Sequence, residues 1–170
     1  MTFEAYVAQS QRALLRFAMV LCADPALAED LVAESLARAF RQWDRIGALD
    51  LPHAYVRRMV VNEFLSWRRR FARLSAHADM TAFDSPQDDH ADALAERDAL
   101  LRRLGALPRK QRAAIVLRFY EGMSDEEIGA ELRCRAGTVR SHISRGLAAL
   151  RLQAEPPYAA QPGSVSGPGI

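Results

Sequence analysis

Side chains suited to binding nucleic acid recur at helical spacing between residues 55 and 73. Guanidinium groups and hydroxyls bind phosphates, an amide pairs with base edges, and an aromatic ring stacks on an unpaired base. On a helical wheel of about 100° per residue, six residues of these kinds fall within an arc of about 80°. They are Tyr55, Arg58, Asn62, Ser66, Arg69 and Arg73. We interpret this surface, hereafter the basic face, as a candidate nucleic-acid-binding site.

The opposite side of the same segment is apolar. Five large side chains share a second arc of about 80°, namely Val56, Val60, Phe64, Trp67 and Phe71. The two arcs together predict one amphipathic helix over residues 53–73 whose aromatic residues face the core. A solvated helix with cations near its C-terminus, where the helix dipole favours them, would show the same pattern. The helix alone therefore does not identify a ligand.

A helix-turn-helix between residues 124 and 151 is the second candidate site. Ser124 and Glu127 form an S-x-x-E capping box, which predicts a helix start. Ile128 and Leu132 give this helix an apolar stripe, and the break RCRAG follows. The next helix, TVRSHISRGLAALR, carries four apolar residues on one side: Val139, Ile143, Leu147 and Leu150.

The second of these helices is rich in Arg, Ser and Thr, as is typical of a recognition helix that enters the major groove. Its candidate contacts to bases and phosphates lie away from the apolar stripe. They are Arg140, Ser141, Ser144 and Arg145. An ordinary helical hairpin with a polar outer face is the alternative interpretation.

Helical signals also organise the N-terminal part of the chain, and strand signals are scarce. Thr2 caps a first helix that ends near Cys22. The pair Asp24–Pro25 starts a second helix that ends near Trp43, because proline is favoured at the first helical position. Residues 45–52 are predicted to form a loop.

We predict an all-α protein of two small helical domains joined by an acidic linker. The predicted ranges are an N-terminal helical bundle over residues 1–73, the linker over 74–95, a helix-turn-helix domain over 96–153 and a disordered Pro/Gly/Ser-rich tail over 154–170. The charge follows this division, since the first three ranges carry net charges of +3, −5 and +5.

Arginine carries nearly all of the positive charge, since Lys110 is the only lysine among 23 basic residues. The planar guanidinium suits phosphates and guanine edges. Genomic codon bias toward G and C would produce the same excess. The net charge of +2 does not by itself indicate a nucleic-acid partner.

No pattern in the sequence is typical of an enzyme or a cofactor site. Four histidines lack metal-ligand spacing: His53, His77, His90 and His142. There is no phosphate-binding loop and no nucleophile motif. Cys22 and Cys134 are expected to stay reduced in a cytosolic chain, and no apolar run approaches the ~18 residues of a membrane span. We therefore predict a cytoplasmic, non-enzymatic protein without cofactor, metal, membrane partner or small-molecule substrate.

Three segments in a fixed order make the chain similar to a known family. They are AEDLVAESLARAFRQWDRI, then AYVRRMVVNEFLSWRRR, then LPRKQRAAIVLRFYEGMSDEEIGAEL followed by GTVRSHISR. Together they resemble small bacterial RNA polymerase sigma factors of the extracytoplasmic-function (ECF) group, of actinobacterial type. The resemblance covers about residues 3–73 and 98–152. It implies that the first segment docks on the polymerase clamp helices, the second reads the −10 promoter element and the third reads the −35 element.

The resemblance also implies roles for individual residues. Asp30, Glu34 and Arg41 would face the polymerase. Arg58 and Asn62 on the basic face would handle the −10 element, and the loop Arg45–Leu51 would accept a base flipped from the non-template strand. Positions at or near the −35 element would be Arg118, Thr138, Arg140, Ser141, His142, Ser144 and Arg145.

Four positions depart from the family pattern. Ala33 stands where the family usually has glutamine, which predicts a weakened or altered polar contact with polymerase. Arg133 and Arg135 replace the glycine and proline of the turn, and a left-handed backbone position costs an arginine about 1 kcal/mol relative to glycine. His142 replaces an arginine or lysine, which predicts weaker phosphate binding or an altered base preference.

The expected partners are core RNA polymerase and promoter DNA, both double- and single-stranded, and the family allows an anti-sigma protein as a further partner. The acidic linker would thread a polymerase channel, either as a phosphate mimic or as a soluble spacer. One other function stays open, that of a polymerase-independent helix-turn-helix regulator with an N-terminal sensor or dimerisation bundle. The docking segment at residues 28–46 distinguishes the two, because a sensor bundle has no need of it.

Overall fold

The structure of the protein is a computed structural model that describes residues 1–74 and 91–154, with side chains described for residues 1–66 and 95–152. Within these ranges the chain forms eight α-helices and no strand. The prediction of an all-α protein is confirmed. The predicted linker, apart from its two ends, and the predicted tail beyond Ala154 lie outside the described residues. Ala154, the first residue of that predicted tail, is the last residue of a helix.

Four helices form the N-terminal half: α1 (Phe3–Cys22), α2 (Pro25–Phe40), α3 (Trp43–Ile46) and α4 (Pro52–Leu74). The helix starts follow the predicted caps, since the Thr2 hydroxyl accepts a hydrogen bond from the Ala5 amide and the Asp24 carboxylate accepts one from the Leu27 amide. The second helix ends before the predicted Trp43. A short helical turn, α3, occupies the beginning of the predicted loop.

Four helices form the C-terminal half: α5 (Ala91–Gly105), α6 (Arg109–Phe119), α7 (Asp125–Leu132) and α8 (Ala136–Ala154). The helical structure here begins at Ala91, earlier than the predicted start near Glu96. Alanines at positions 91, 93 and 95 favour helix strongly enough to outweigh the acidic composition of this segment.

The core of the N-terminal half lies between α1, α2 and α4. Val56, Val60 and Phe64 of the predicted apolar arc are buried beside Phe17 and Leu21 of α1. Trp67 and Phe71, the other two members of that arc, lie outside the described side chains. The observed burial confirms the wheel for the three residues that can be compared.

The same core continues into the C-terminal half. Residues of α6, α7 and α8 belong to one buried cluster with those of the N-terminal helices; among them are Val116, Leu117, Ile128, Leu132 and Val139. A smaller cluster of Leu104, Leu107 and Ile115 lies beside it. The two halves therefore pack directly on each other.

Arg112 of α6 is buried at the junction of the two halves, with 7% of its surface exposed. Its guanidinium donates to the carbonyl oxygens of Cys22 at 3.0 Å and Leu107 at 3.1 Å, and also to that of Gly105. The last turn of a helix leaves carbonyls unpaired, and Arg112 satisfies those at the end of α1. This role depends on contacts between distant parts of the chain, so the sequence does not indicate it.

Candidate nucleic-acid interface

The basic face of α4 is present as a surface, but its members differ in exposure. Arg58 is the most exposed, while Tyr55, Asn62 and Ser66 are half-buried. The Ser66 hydroxyl donates to the Glu63 carbonyl at 3.2 Å, which turns it toward its own helix. Arg69 and Arg73 belong to α4, but their side chains lie outside the described set.

The loop before α4 is joined to the basic face by Arg45. Its guanidinium donates to the Tyr55 hydroxyl at 2.7 Å and lies 5.3 Å from the centre of the Tyr55 ring. Beyond this anchor the loop is open, with Leu49 and Leu51 exposed at 40% and 72%. Loop and helix thus form one continuous surface with an apolar rim. The sequence does not indicate the pairing of Arg45 with Tyr55.

Arg58 already has partners in the C-terminal half. Its Nη2 donates to the Ala130 carbonyl of α7 at 3.1 Å, and its Nε lies 3.9 Å from the Glu131 carboxylate. Glu131 is buried, which raises the pKa of its carboxyl group, although the positive charges of Arg57 and Arg58 oppose that change. Arg58 thus contacts α7 although 45% of its side chain remains exposed.

The helix-turn-helix is formed by α7 and α8 with the predicted caps. The Ser124 hydroxyl accepts from the Glu127 amide at 3.2 Å, and the Glu127 carboxylate accepts from the Ser124 amide at 2.7 Å. The turn between the helices places Arg133 in the left-handed region, with φ at 53°. Both the capping box and the strained turn position are confirmed.

The predicted contact residues of α8 lie on its outer side. Five of them are exposed: Thr138, Arg140, Ser141, Ser144 and Arg145. His142 is half-buried, and desolvation together with the charges of Lys110 and Arg145 lowers its pKa. The effect expected of His142, weaker phosphate binding or an altered base preference, stays a prediction.

Asp125, at the first position of α7, connects two of the predicted contact residues. Its carboxylate pairs with the Arg118 guanidinium and lies 3.3 Å from that of Arg140. These charges line a groove of about 480 Å³ between α6 and α8, with Phe119 and Ile143 supplying apolar surface. Asp125 fixes the direction of both arginines and was not predicted as part of the site.

A third surface lies on α2. Asp30 and Glu34 of α2 are exposed, and so is Arg41, which directly follows the helix as its C-cap. The spacings of four and seven residues place all three on one side. Arg38 on the same helix instead pairs with the buried Glu63 of α4. The exposed acidic and basic groups of α2 are thus free of the core, whereas Arg38 holds α2 to α4.

Two family models match the two halves. Sigma-70 region 2 matches residues 6–74, and Sigma-70, region 4, matches residues 97–150. The chain is 42% identical over 149 residues to the RNA polymerase sigma-E factor of Streptomyces coelicolor, covering 88% of this chain and 84% of that protein. The chain is an RNA polymerase sigma factor of the ECF group.

Other relatives agree with this assignment. The sigma factor is 33% identical to the ECF RNA polymerase sigma factor SigL of Mycobacterium tuberculosis, over 82% of this chain and 81% of that protein. Among solved structures, the sigma factor RpoE of Bartonella quintana, crystallised with the anti-sigma factor NepR, has a TM-score of 0.68 at 27% identity. That match covers 89% of this chain and 96% of the other. The sigma factor therefore acts with RNA polymerase in promoter recognition, and an independent regulator is not favoured.

Other reactive groups were compared with the requirements of a metal site or a reactive thiol in the part of the chain that the structure describes. Within the described ranges no cluster of His, Cys, Asp and Glu has the arrangement of a metal site. Burial raises the pKa of the Cys22 thiol to about 11, and that thiol donates to the Ala18 carbonyl at 2.9 Å. None of the helices in the part of the chain that the structure describes is both long and apolar enough to cross a bilayer.

Proposed function

We propose that α8 reads the −35 element of the promoter as duplex DNA. Arg140, Ser141, Ser144 and Arg145 project from one exposed side of a helix whose other side is held in the core by Val139. Guanidinium and hydroxyl groups on such a helix bind base edges and phosphates in the major groove. Arg118 and Arg140, held by Asp125, lie at the edge of this surface.

The basic face of α4 and the loop Arg45–Leu51 would then bind the −10 element as unpaired, single-stranded DNA. A base extruded from the DNA duplex would find three kinds of contact here. It could stack on the Tyr55 ring, form hydrogen bonds with the Asn62 amide and lie against the exposed leucines of the loop. Binding an extruded base offsets the few kcal/mol that unpairing costs, so recognition and melting become one step.

The exposed side of α2 would dock on core polymerase through Asp30, Glu34 and Arg41. Because the chemistry of transcription then belongs to the polymerase, we assign no catalytic activity, cofactor or metal to this chain. We place it in the cytoplasm with the transcription machinery. We also assign residues 1–73 to the polymerase and −10 functions and residues 96–153 to the −35 function. A small anti-sigma protein is a further candidate partner, since the Bartonella relative was crystallised with one.

The observation that supports this proposal is that Asn62 and Tyr55, both half-buried, lie on the same side of α4 beside an open loop anchored by Arg45. In run-off transcription with purified core polymerase, Asn62→Ala should lower open-complex formation about tenfold, because one base contact contributes about 1–3 kcal/mol. Gln9→Ala, an exposed polar residue on α1, is the matched control and should transcribe as wild type. An Asn62→Ala variant that opens the promoter as well as wild type would remove this role.

A further inference from the structure

An acidic side chain lies within the surface that is proposed to bind the −35 duplex. One carboxylate oxygen of Asp125 pairs with the Arg118 guanidinium, and the other lies 3.3 Å from Nη1 of Arg140. Only 18% of the Asp125 side chain is exposed, against 66% of the Arg140 side chain. A carboxylate repels DNA phosphates, so an acid at this position should have a function that offsets this repulsion.

The three charged residues come from three different helices. Arg118 belongs to α6, Asp125 begins α7 and Arg140 lies in α8. The residues that precede the two arginines, Leu117 and Val139, are fully buried, so the core fixes both helix backbones. The carboxylate therefore connects a side chain of the proposed reading helix to the body of the helix-turn-helix domain.

Arg118 anchors the carboxylate. Its side chain is 32% exposed, about half of the value for Arg140, and its Nε atom is buried without a hydrogen-bond partner among the described residues. Arg118 thus faces the protein more than the solvent. Because its positive charge balances that of Asp125, the charge of Arg140 remains in excess, and the group as a whole still attracts DNA.

Arg140 keeps donors for DNA while Asp125 holds it. The contact with Asp125 uses Nη1, and a guanidinium carries further N–H groups in a fixed planar fork. Guanine presents two acceptors side by side in the major groove, O6 and N7, which a bidentate arginine matches. An arginine that is not held can instead bind a nearby phosphate, and such a contact carries no sequence information. The orientation of Arg140 therefore decides whether it reads a base.

We propose that Asp125 is a positioning residue for promoter selectivity: it holds Arg140 in the direction that reads a guanine of the −35 duplex. The inference rests on the proposed binding of the −35 element by α8, and it adds a residue that does not itself contact a base. Preorganisation reduces the side-chain entropy that Arg140 loses on binding. The negative charge of Asp125 also weakens binding to DNA that lacks the guanine. Asp125 thus raises sequence preference and lowers non-specific affinity.

A purely structural role for Asp125 predicts a different outcome. Asp125, Glu126 and Glu127 all lie in the first turn of α7, where the helix dipole favours negative charge. If Asp125 only stabilised this helix, its replacement would weaken binding to every sequence alike, and Glu126 would be equivalent to it. A loss of preference combined with a gain in non-specific affinity is expected only of a positioning residue.

Selection from promoter-length duplexes of random sequence tests the preference, with the full chain assembled on core polymerase. The wild-type chain should enrich an upstream motif in which one guanine is preferred about tenfold or more. Asp125→Asn should reduce that preference to about threefold or less. Glu126→Gln removes the same charge one position further along α7, at an exposed residue, and is the matched control. It should keep the guanine preference.

Fluorescence anisotropy of the full chain with a labelled duplex pool of mixed sequence measures the non-specific affinity. Asp125→Asn should bind this pool about twofold to fivefold more tightly than wild type, because the released Arg140 is free to bind phosphates. Arg140→Gln removes the reading group and should abolish the same guanine preference in the selection. Adding Asp125→Asn to Arg140→Gln should cost no further preference, because both changes remove one interaction.

The inference is overturned if Asp125→Asn keeps the guanine preference, if it weakens specific and non-specific binding equally, or if Glu126→Gln loses the preference to the same extent. A failure of the proposed −35 function has a different signature. The wild-type chain would then enrich no upstream motif, or Arg140→Gln would leave the enriched motif unchanged, and the role of Asp125 would be rejected together with that function.

Discussion

At the scale of single residues, the arginines divide into two groups that the sequence does not separate. Arg140 and Arg145 project outward, as their position on the wheel predicts. Arg57 and Arg112 face other parts of the chain: Arg57 pairs with Glu121, 64 positions away, and Arg112 donates to the Cys22 carbonyl, 90 positions away. A helical wheel orders residues around their own helix, so it cannot identify a partner on a distant helix.

Replacing Arg112 should be among the most destabilising single changes in this chain. Arg112→Ala leaves buried carbonyl oxygens at the end of α1 and before α6 without donors, and we expect the free energy of unfolding to fall by about 3 kcal/mol. Urea titration followed by circular dichroism measures the change. Arg102→Ala, at an exposed position of α5, should change it by no more than about 0.5 kcal/mol. Equal stability of the two variants would show that the carbonyl contacts of Arg112 contribute nothing.

At the scale of helices, the sequence predicted helix starts correctly where they depend on residues close together in the chain. Thr2, Asp24 and Ser124 all cap the helices that they were predicted to cap, because a cap depends on residues only three positions apart. The end of α2 was predicted less well, since no proline or glycine marks it. The helix-turn-helix itself was predicted from its capping box and its two apolar stripes.

One residue in the turn of the helix-turn-helix lowers the stability of the chain, so replacing it should stabilise the fold. Arg133 adopts φ of 53°, where glycine is favoured, so Arg133→Gly should raise the free energy of unfolding by about 1 kcal/mol. Thermal or urea unfolding of the full chain measures the gain. Arg133→Ala separates the causes, because it removes the arginine side chain but keeps the strained Cβ. If alanine stabilises as much as glycine, backbone strain is not the reason.

At the scale of the whole molecule, the sequence predicts the two halves but not their packing. Periodicity and charge identified an N-terminal bundle and a helix-turn-helix, and the family matches agree with both. The contact of α7 with Arg58 depends on how the halves meet, and no local pattern encodes it. The candidate sites were therefore predicted as surfaces, whereas their accessibility became visible only in the structure.

The central claim is that this chain gives core RNA polymerase its promoter specificity, and promoter-directed transcription tests it most directly. Purified chain and core polymerase are incubated with fragmented genomic DNA from the source organism, and transcript start sites are mapped by sequencing. The account predicts new start sites that share two upstream sequence motifs, one at −10 and one at −35. These start sites should be lost when Asp30, Glu34 and Arg41 are all replaced by alanine. Start sites identical with and without the chain, or a chain that never associates with core polymerase, would contradict it.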